Sequence, residues 1–382
     1  MAAEAPAAFV PSRDLVRVRT AADLDAGLAA VRAVYGLHTH PERWVAAEDE
    51  HTAEDAAPDD PFETQCVQAW LRHAIAWACT HAPERADEGA DVLVRLAGQS
   101  AAGARQCTYR FFLGAAPAAA DAADAAAAAA ASVCIRDIAL TDDALGGRTW
   151  GAAPYLARRL MLAYAAHAPR AVLELGAGTG LTGLALHAFL HARGAAPHVV
   201  LTDHHAVVLE NLAHNVASNA AHDTHVAHLD WQQIYRDTAP AHAAYTSTAQ
   251  TVPASNAERA RAFGTVDAHA RFDVLIAADC IYDPAHAPWI AAVAHRHLAR
   301  APLAPGAPTP ALHLLTPERA THAAELASVY DTFRTGPLRI VHDTRLDGHD
   351  DFGPIQMRHG TAHAGHGRRV AFRHFVVAWD LA

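Results

Sequence analysis

Lysine is absent from this chain of 382 residues, and its 30 basic residues are all arginines scattered along the sequence. Acidic residues number 41, which gives a formal net charge of −11 at pH 7. Non-specific nucleic-acid binding draws its affinity from dense positive charge against phosphates. We therefore expect no direct nucleic-acid partner. A phosphate-binding P-loop is excluded as well, because that motif requires a lysine.

Long hydrophobic runs are also missing, and the alanine tract at 122–131 is interrupted by Asp124. No run is long enough to span a bilayer, and the first residues lack a signal-peptide pattern. The five cysteines are odd in number and contain no C-x-x-C, which favours free thiols in a reducing compartment. His38 and His40, or His363 and His366, could bind a metal, but no pair of histidines at helical spacing with a carboxylate supports this, so we expect no metal site. A cytoplasmic monomer without membrane contact is the resulting expectation.

The most informative stretch is 171–183, with the sequence AVLELGAGTGLTG. An apolar run of strand length breaks into glycines at alternate positions and then continues with helical spacing. Glycines allow a ligand to lie against the backbone, and the helix start offers free N–H groups. Leu181 stands where the dinucleotide fingerprint needs its third glycine, which argues against NAD. The pattern predicts a cofactor cradle, and the alternative is a purely structural glycine-rich turn.

Strands and helices alternate regularly from residue 171 onward. Such alternation is typical of a mostly parallel, Rossmann-like α/β sheet with helices on both faces. The last two strands lack an intervening helix, so the final strand should be antiparallel. Seven strands are predicted, over 171–175, 198–202, 225–229, 272–277, 311–315, 338–342 and 370–379.

The first 130 residues predict a separate α+β accessory region. Apolar spacing indicates helices from Leu24 to Val34 and from Phe62 to His81. Two runs, 91–96 and 106–113, look like strands, and alternation at 133–138 indicates a half-buried antiparallel strand. We assign 1–130 to the accessory region and 131–382 to the sheet domain, with 236–270 as a surface insertion.

Ligands of open parallel sheets bind beyond the carboxyl ends of the strands. Asp203 ends the second strand and could accept two hydrogen bonds from a ribose diol, although it could equally cap the next helix. Trp231 follows the third strand and could contact an adenine, although a core role is the alternative. Asp279 and Tyr282 follow the fourth strand, where an incoming nucleophile would arrive.

Four motifs together resemble the seven-strand S-adenosylmethionine-dependent protein-lysine methyltransferases with a D-x-x-Y motif, which methylate chaperones and translation factors. They are RTW at 148–150, ELGAGTG at 174–180, LTD at 201–203 followed by Asn211 and Asn215, and ADCIY at 278–282. The stretch 140–150 and the long N-terminal region look most like the fungal enzymes that methylate translation elongation factors 2 and 3. The (D/N/S)-P-P-(Y/F) signature of nucleobase-amine methylation is not present at 279–282.

The resemblance implies a fold, a cofactor and site residues. It implies a methyltransferase sheet, S-adenosylmethionine as cofactor and a protein substrate, with an elongation factor expected. Asp279 and Tyr282 would line the acceptor site as catalytic residues. The implied cofactor contacts are Trp150, Glu174, Gly176, Ala177, Gly178, Asp203, Trp231 and Ala278. A small-molecule methyltransferase and a non-catalytic cofactor-binding module remain alternatives.

Overall fold

The computed structural model describes residues 15, 17–34, 42–45, 61–96, 105–114, 127–138, 145–221, 223–238, 254–319, 322–350 and 368–380. The chain divides into two compact units. The first comprises Met1–Arg43, His51–Gly103 and Asp351–Arg368, and the second comprises Trp44–Glu50, Ala104–Asp350 and Arg369–Ala382. The boundary predicted at residue 130 stays a prediction.

Among the residues that the structure describes, the first unit contains three α-helices, α1 (Ala21–Val34), α2 (Pro61–His81) and α3 (Ala86–Leu96). The two helices predicted from apolar spacing are α1 and α2, so that prediction is confirmed. Thr20 and Asp23 form a capping box at the start of α1, each side chain accepting the other's backbone N–H. The apolar faces of the three helices share one core, which includes Leu28, Val67, Leu71 and Val92.

The prediction of a strand at 91–96 is wrong, because these residues form the end of α3. The apolar residues of this run are also compatible with a helix, on which Gly89 and Val92 are both buried. A Cβ at Gly89 would lie 2.9 Å from Cγ1 of Ile75, so α2 and α3 pack closely at this glycine. Helix packing, rather than strand pairing, buries Val92.

A three-stranded sheet has the order β1 (Glu42–Val45), β2 (Arg105–Phe111), β3 (Ala131–Asp137). Strands β2 and β3 and the residues Trp44 and Val45 of β1 belong to the second unit. Strands β2 and β3 are antiparallel, from Arg105 opposite Asp137 to Phe111 opposite Ala131. The half-buried antiparallel strand predicted at 133–138 is thereby confirmed. The tract 115–126 lies outside the described residues.

A seven-stranded sheet forms the main body of the second unit, in the order β6-β5-β4-β7-β8-β10-β9. Pairing is parallel from β6 to β8, and β10 is antiparallel to β8. The predicted fold class is confirmed. The strands are β4 (Ala171–Leu175), β5 (His198–Asp203), β6 (Thr224–His228), β7 (Val274–Ala278), β8 (Ala311–Pro317), β9 (Leu338–Asp350) and β10 (Arg368–Trp379).

Helices connect these strands, and the strand order changes direction next to β4. Because β5 and β7 both flank β4, their carboxyl ends diverge there and leave a crevice. The helices are α4 (Ala152–Ala163), α5 (Leu181–Ala192), α6 (Ala206–Ser218), α7 (Trp231–Thr238), α8 (Ala254–Arg261), α9 (His286–His297) and α10 (Ala323–Arg334). Within the described ranges, no helix is both long enough and apolar enough to cross a membrane.

The region predicted as a surface insertion, 236–270, contains more order than expected. Helix α8 docks on α6, where Asn256 Oδ1 accepts the Ala206 N–H at 2.8 Å. The backbone N–H of His228, at the end of β6, donates to the carbonyl oxygen of Gly264 at 2.9 Å. Residues 239–253 lie outside the described part of the chain. Polar contacts anchor this segment, which explains why apolar periodicity did not reveal it.

Two buried histidines join α4 to the end of the sheet. His313 on β8 lies 2.7 Å from the hydroxyl of Tyr164 and 3.2 Å from His374 on β10. The Arg159 guanidinium donates to His374 at 3.1 Å. Burial lowers the pKa of His313 to about 3 and that of His374 to about 4. Both imidazoles are therefore neutral in the folded protein at neutral pH.

This pair should make stability depend on pH. The folded-state pKa values lie below the ordinary value of 6.5, so the unfolded chain takes up protons first as the pH falls. We expect the pair to reduce the free energy of unfolding by about 2 kcal/mol between pH 7 and pH 5.5. The double variant His313→Gln, His374→Gln should lose this part of the pH dependence in urea titrations. The exposed His269→Gln variant should keep it, and an equal effect of both would contradict the assignment.

Candidate active site

The turn between β4 and α5 carries three glycines in the left-handed region, with φ of +61° at Gly176, +56° at Gly178 and +83° at Gly180. Residues with a side chain rarely adopt this backbone conformation, so these positions need glycine. A Cβ at Gly178 would also lie 2.9 Å from the carbonyl oxygen of Gly146. We call residues 176–180 the glycine turn. Its backbone is packed closely on one side and leads directly into the start of α5.

Glu174 supports the glycine turn from inside the protein. Its side chain is buried at the end of β4, and Oε2 accepts the Gly183 N–H at 2.9 Å. Burial raises the pKa of Glu174 to about 8, so the carboxyl group is largely protonated at neutral pH. In the structure this residue holds the first turn of α5. Its predicted contact with a cofactor stays a prediction.

Asp203 joins the glycine turn to the beginning of α6. Oδ2 accepts the Gly178 N–H at 3.2 Å, and Oδ1 accepts the N–H groups of His204 and His205 at 2.8 and 3.1 Å. These two N–H groups precede α6, whose N-cap is His205 without a side-chain cap bond, so the structure does not show Asp203 capping this helix. Ala177 is also bonded to β5, since its backbone N–H donates to the Thr202 carbonyl at 2.8 Å.

Trp231 begins α7, and its ring covers the first glycine of the turn. A Cβ at Gly176 would lie 3.0 Å from the indole Cη2 atom. The indole Nε1 is buried and has no hydrogen-bond partner among the residues that the structure describes. A buried donor of this kind usually has a partner, so its position favours a bound acceptor.

Asp279 follows Ala278 at the end of β7 with a φ of +57°, in the left-handed region. This conformation is strained for a residue other than glycine, although aspartate and asparagine tolerate it best. The backbone N–H of Asp279 donates to the carbonyl oxygen of Leu315 on β8 at 2.8 Å. The Cys280 thiol donates to the carbonyl oxygen of Leu175 on β4 at 3.2 Å. Burial strongly raises the pKa of Cys280, so the thiol stays protonated. Contacts on both neighbouring strands fix the direction of Asp279.

Tyr282 lies at the protein surface with 51% of its area exposed. Its ring packs edge-on against His286, with centroids 4.3 Å apart. His286 is buried, its Nδ1 lies 2.9 Å from the Cys280 carbonyl, and burial lowers its pKa. The same imidazole packs edge-on against Trp231 at 6.1 Å. A neutral His286 thus contacts both Tyr282 and Trp231.

The structure brings several sequence-predicted residues together at the crevice. Direct contacts join Gly178 to Asp203 and Gly176 to Trp231, and Asp279 and Tyr282 extend from the next strand. Trp150 is half-buried and ends the segment 146–150, whose Gly146 carbonyl lies against Gly178. The sequence reasoning gave no role to His286, Thr149 or Thr179. His286 offered no signal, because its neighbours are set by tertiary packing.

Within the described ranges, no group of three histidine, cysteine, aspartate or glutamate side chains is placed to hold a metal ion. The residues at the crevice instead offer a flat backbone, a carboxylate and an indole donor. These groups fit a nucleoside better than a metal.

Comparison with known proteins shows similarity to lysine methyltransferases over part of the chain. Residues 136–246 match a family model described as lysine methyltransferase. The chain is 27% identical over 240 residues to protein-lysine N-methyltransferase EFM2 of Saccharomyces cerevisiae, covering 59% of this chain and 49% of that protein. It is 37% identical over 99 residues to protein-lysine N-methyltransferase EEF2KMT of Mus musculus, covering 22% and 28% respectively. The chain thus spans about half, or less, of the length of these relatives.

Similar solved structures include an O-methyltransferase from Bacillus cereus in complex with S-adenosylhomocysteine. It has a TM-score of 0.34 and 13% identity, and the match covers 59% of this chain and 81% of that one. TYW2 of M. jannaschii, solved with S-adenosylmethionine, has a TM-score of 0.35 and 8% identity, with 65% and 83% covered.

The resemblance to lysine methyltransferases seen in the sequence motifs is confirmed for the part of the chain that the family model matches. This part contains Trp150, the glycine turn, Asp203 and Trp231, whereas Asp279 and Tyr282 lie beyond it.

The close packing of Gly178 gives a test of the turn. Gly178→Ala would combine backbone strain with a clash against Gly146, so we expect it to lower the free energy of unfolding by at least about 2 kcal/mol. Gly194→Ala is a matched control, because Gly194 also has a positive φ, of +80°, but has nothing within 4 Å of an added Cβ. The control should lose only about 1 kcal/mol in denaturant titrations. Equal losses would show that the close approach does not matter.

Proposed function

We propose that this chain, which matches the lysine methyltransferase family over residues 136–246, is an S-adenosylmethionine-dependent protein-lysine N-methyltransferase. One observation carries the proposal. The crevice where the strand order reverses combines a glycine turn, an acidic side chain, a buried indole donor and an acceptor motif of the D-x-x-Y type. The relatives named as protein-lysine N-methyltransferases support the same chemistry.

The residues at the crevice fit this cofactor. When bound, S-adenosylmethionine supplies an electrophilic methyl group on a sulfonium. Asp203 would accept hydrogen bonds from the ribose, and Trp231 would contact the adenine while its buried Nε1 gains a partner. The backbone of Gly176, Ala177 and Gly178 would lie against the cofactor. Trp150, Ala278 and Glu174 complete the proposed cofactor site, Glu174 by holding α5 in place.

Asp279 and Tyr282 are the proposed catalytic residues on the acceptor side. A lysine amine must be neutral and in line with the methyl group, so the reaction needs positioning and exclusion of water more than a strong base. Asp279 would orient the amine as it loses its proton. Tyr282 is half exposed, so it stands where a side chain from another protein can arrive, and it would narrow the channel around that chain.

The proposed substrate is a translation elongation factor, elongation factor 2 or 3. This assignment rests on the resemblance of 140–150 and of the long N-terminal region to the fungal elongation factor methyltransferases. A cytoplasmic monomer would have access to such a substrate. No membrane or nucleic-acid partner is part of the proposal.

The role of Asp279 can be tested with Asp279→Asn. Asparagine tolerates the left-handed conformation, so this change removes the charge while keeping the backbone. We expect kcat/KM for the protein substrate to fall by about a hundredfold, with the affinity for S-adenosylhomocysteine within about twofold of wild type. The loop variant Asp267→Asn is the control and should keep full activity.

Tyr282→Phe tests the other acceptor residue and should alter KM for the protein more than binding of the cofactor. If both Asp279→Ala and Tyr282→Phe were fully active with cofactor binding intact, the assigned acceptor roles would be wrong.

The substrate can be identified by transfer of tritium from labelled S-adenosylmethionine into a lysate of cells that lack this protein. We expect a protease-sensitive labelled band at the size of elongation factor 2 or 3. The absence of lysine from this chain helps, because its own band cannot carry label on a lysine side chain. Label confined to small molecules would favour a small-molecule methyltransferase. Cofactor binding without any transfer would favour a non-catalytic module.

A further inference from the structure

Strand β3 ends its small sheet, and asparagines from α6 and the residue that follows it occupy the free edge. Asn219 accepts the Cys134 N–H at 2.8 Å and donates to the Cys134 carbonyl at 2.7 Å. Asn215 accepts the Arg136 N–H at 2.9 Å and donates to the Arg136 carbonyl at 3.2 Å. Each amide thus makes the two bonds that a residue of a neighbouring strand would make. We call Asn211, Asn215 and Asn219 the asparagine ladder.

The spacing of the ladder explains why it fits a strand. Four residues of α-helix rise about 6 Å, and two residues of β-strand rise about 6.6 Å. Side chains at every fourth helix position therefore meet every second strand residue. Asn211 does not advance to the next strand residue but bonds Arg136 a second time, donating to its carbonyl at 2.8 Å and accepting from its side chain at 2.7 Å. The ladder consequently fixes both the position and the register of β3.

From the end of β3, buried hydrogen bonds lead to the glycine turn. Asp137 Oδ1 accepts the Thr149 N–H at 3.0 Å and the Thr149 hydroxyl at 2.8 Å. The hydroxyls of Thr149 and Thr179 are 2.8 Å apart. Because the Thr149 hydroxyl donates to Asp137, the Thr179 hydroxyl must donate to Thr149. The backbone carbonyl of Thr179 accepts the Asn215 amide at 2.9 Å, so the contacts close into a ring.

This ring of hydrogen bonds includes Thr149, the residue directly before Trp150, which belongs to the proposed cofactor site. Thr149 and Thr179 are 4% and 3% exposed, so their hydroxyls have little access to water. Gly146, from the same segment as Thr149, lies against Gly178, and the Trp150 carbonyl accepts the Ala153 N–H at 3.1 Å. The backbone on both sides of Trp150 is therefore anchored.

We propose that Asn215, Thr149 and Thr179 are positioning residues that hold the segment 146–150, and with it Trp150, against the glycine turn so that the two together bind the cofactor. The inference rests on the proposed function. A site held in its binding geometry beforehand loses less conformational freedom when the ligand binds. Loss of the ring should accordingly weaken cofactor binding while the acceptor residues keep their places.

Thr149→Val tests the ring with little change of shape, because it removes the hydroxyl that joins Asp137 to Thr179. We expect the dissociation constant for S-adenosylhomocysteine, measured by calorimetry on the full chain, to rise about tenfold. KM for S-adenosylmethionine should rise by a similar factor, while kcat at saturating cofactor stays within about twofold. Thr149→Ser restores the hydroxyl and should restore binding.

A second pair of variants separates positioning from general stability. Asn215→Asp removes the amide donor to Thr179, whereas Asn219→Asp changes a ladder residue whose amide bonds only Cys134 and the Asn215 carbonyl. Both should lower thermal stability, but only Asn215→Asp should weaken S-adenosylhomocysteine binding by about tenfold. If the wild type binds and Thr149→Val and Asn215→Asp bind as tightly, the positioning inference is wrong and the proposed function stands. If the wild type itself does not bind S-adenosylhomocysteine, both fall.

Discussion

The backbone of the glycine turn is the constraint on which the rest of the second unit depends. Its N–H groups and those of α5 meet two carboxyl groups, Glu174 from within the sheet and Asp203 from the neighbouring strand. Burying two anionic groups so close together would be costly, and a raised pKa at Glu174 reduces that cost because this group is largely protonated. The turn thus needs glycine for its φ angles and acidic residues for its hydrogen bonds.

Local patterns were sufficient for most of the fold. Buried parallel strands appear as short apolar runs, and the helices between them show regular spacing, so the order of elements from 171 onward could be predicted. Failure came where local signals are ambiguous. The run at 91–96 resembles a strand in its apolar residues, yet it forms the end of helix α3. Helices α7 and α8 have eight residues each, too few to show a sustained period, and Asn256 anchors α8 by a side-chain hydrogen bond.

The candidate site could be predicted only in part, because topology rules locate strand ends but not tertiary hydrogen bonds. Asp203, Trp231 and Asp279 follow strands, so their neighbourhood could be expected from the sheet order. The asparagine ladder pairs residues 79 and 85 positions apart in sequence, which no local pattern indicates. A signal was nonetheless present. Asparagine is disfavoured inside helices, so asparagines at intervals of four in α6 needed a tertiary explanation.

Contacts on several sides also anchor the proposed acceptor motif. Asp279 adopts a strained backbone conformation that would relax if its neighbours allowed it. They do not, because its N–H is bonded to β8 and the next residue's thiol is bonded to β4. The carboxylate therefore projects in a direction that three strands set together. Methyl transfer to an amine depends on alignment more than on strong base catalysis, so a rigidly directed Asp279 is what such a reaction requires. His286, which contacts both Tyr282 and Trp231, extends this rigidity from the proposed acceptor side to the side proposed for the cofactor.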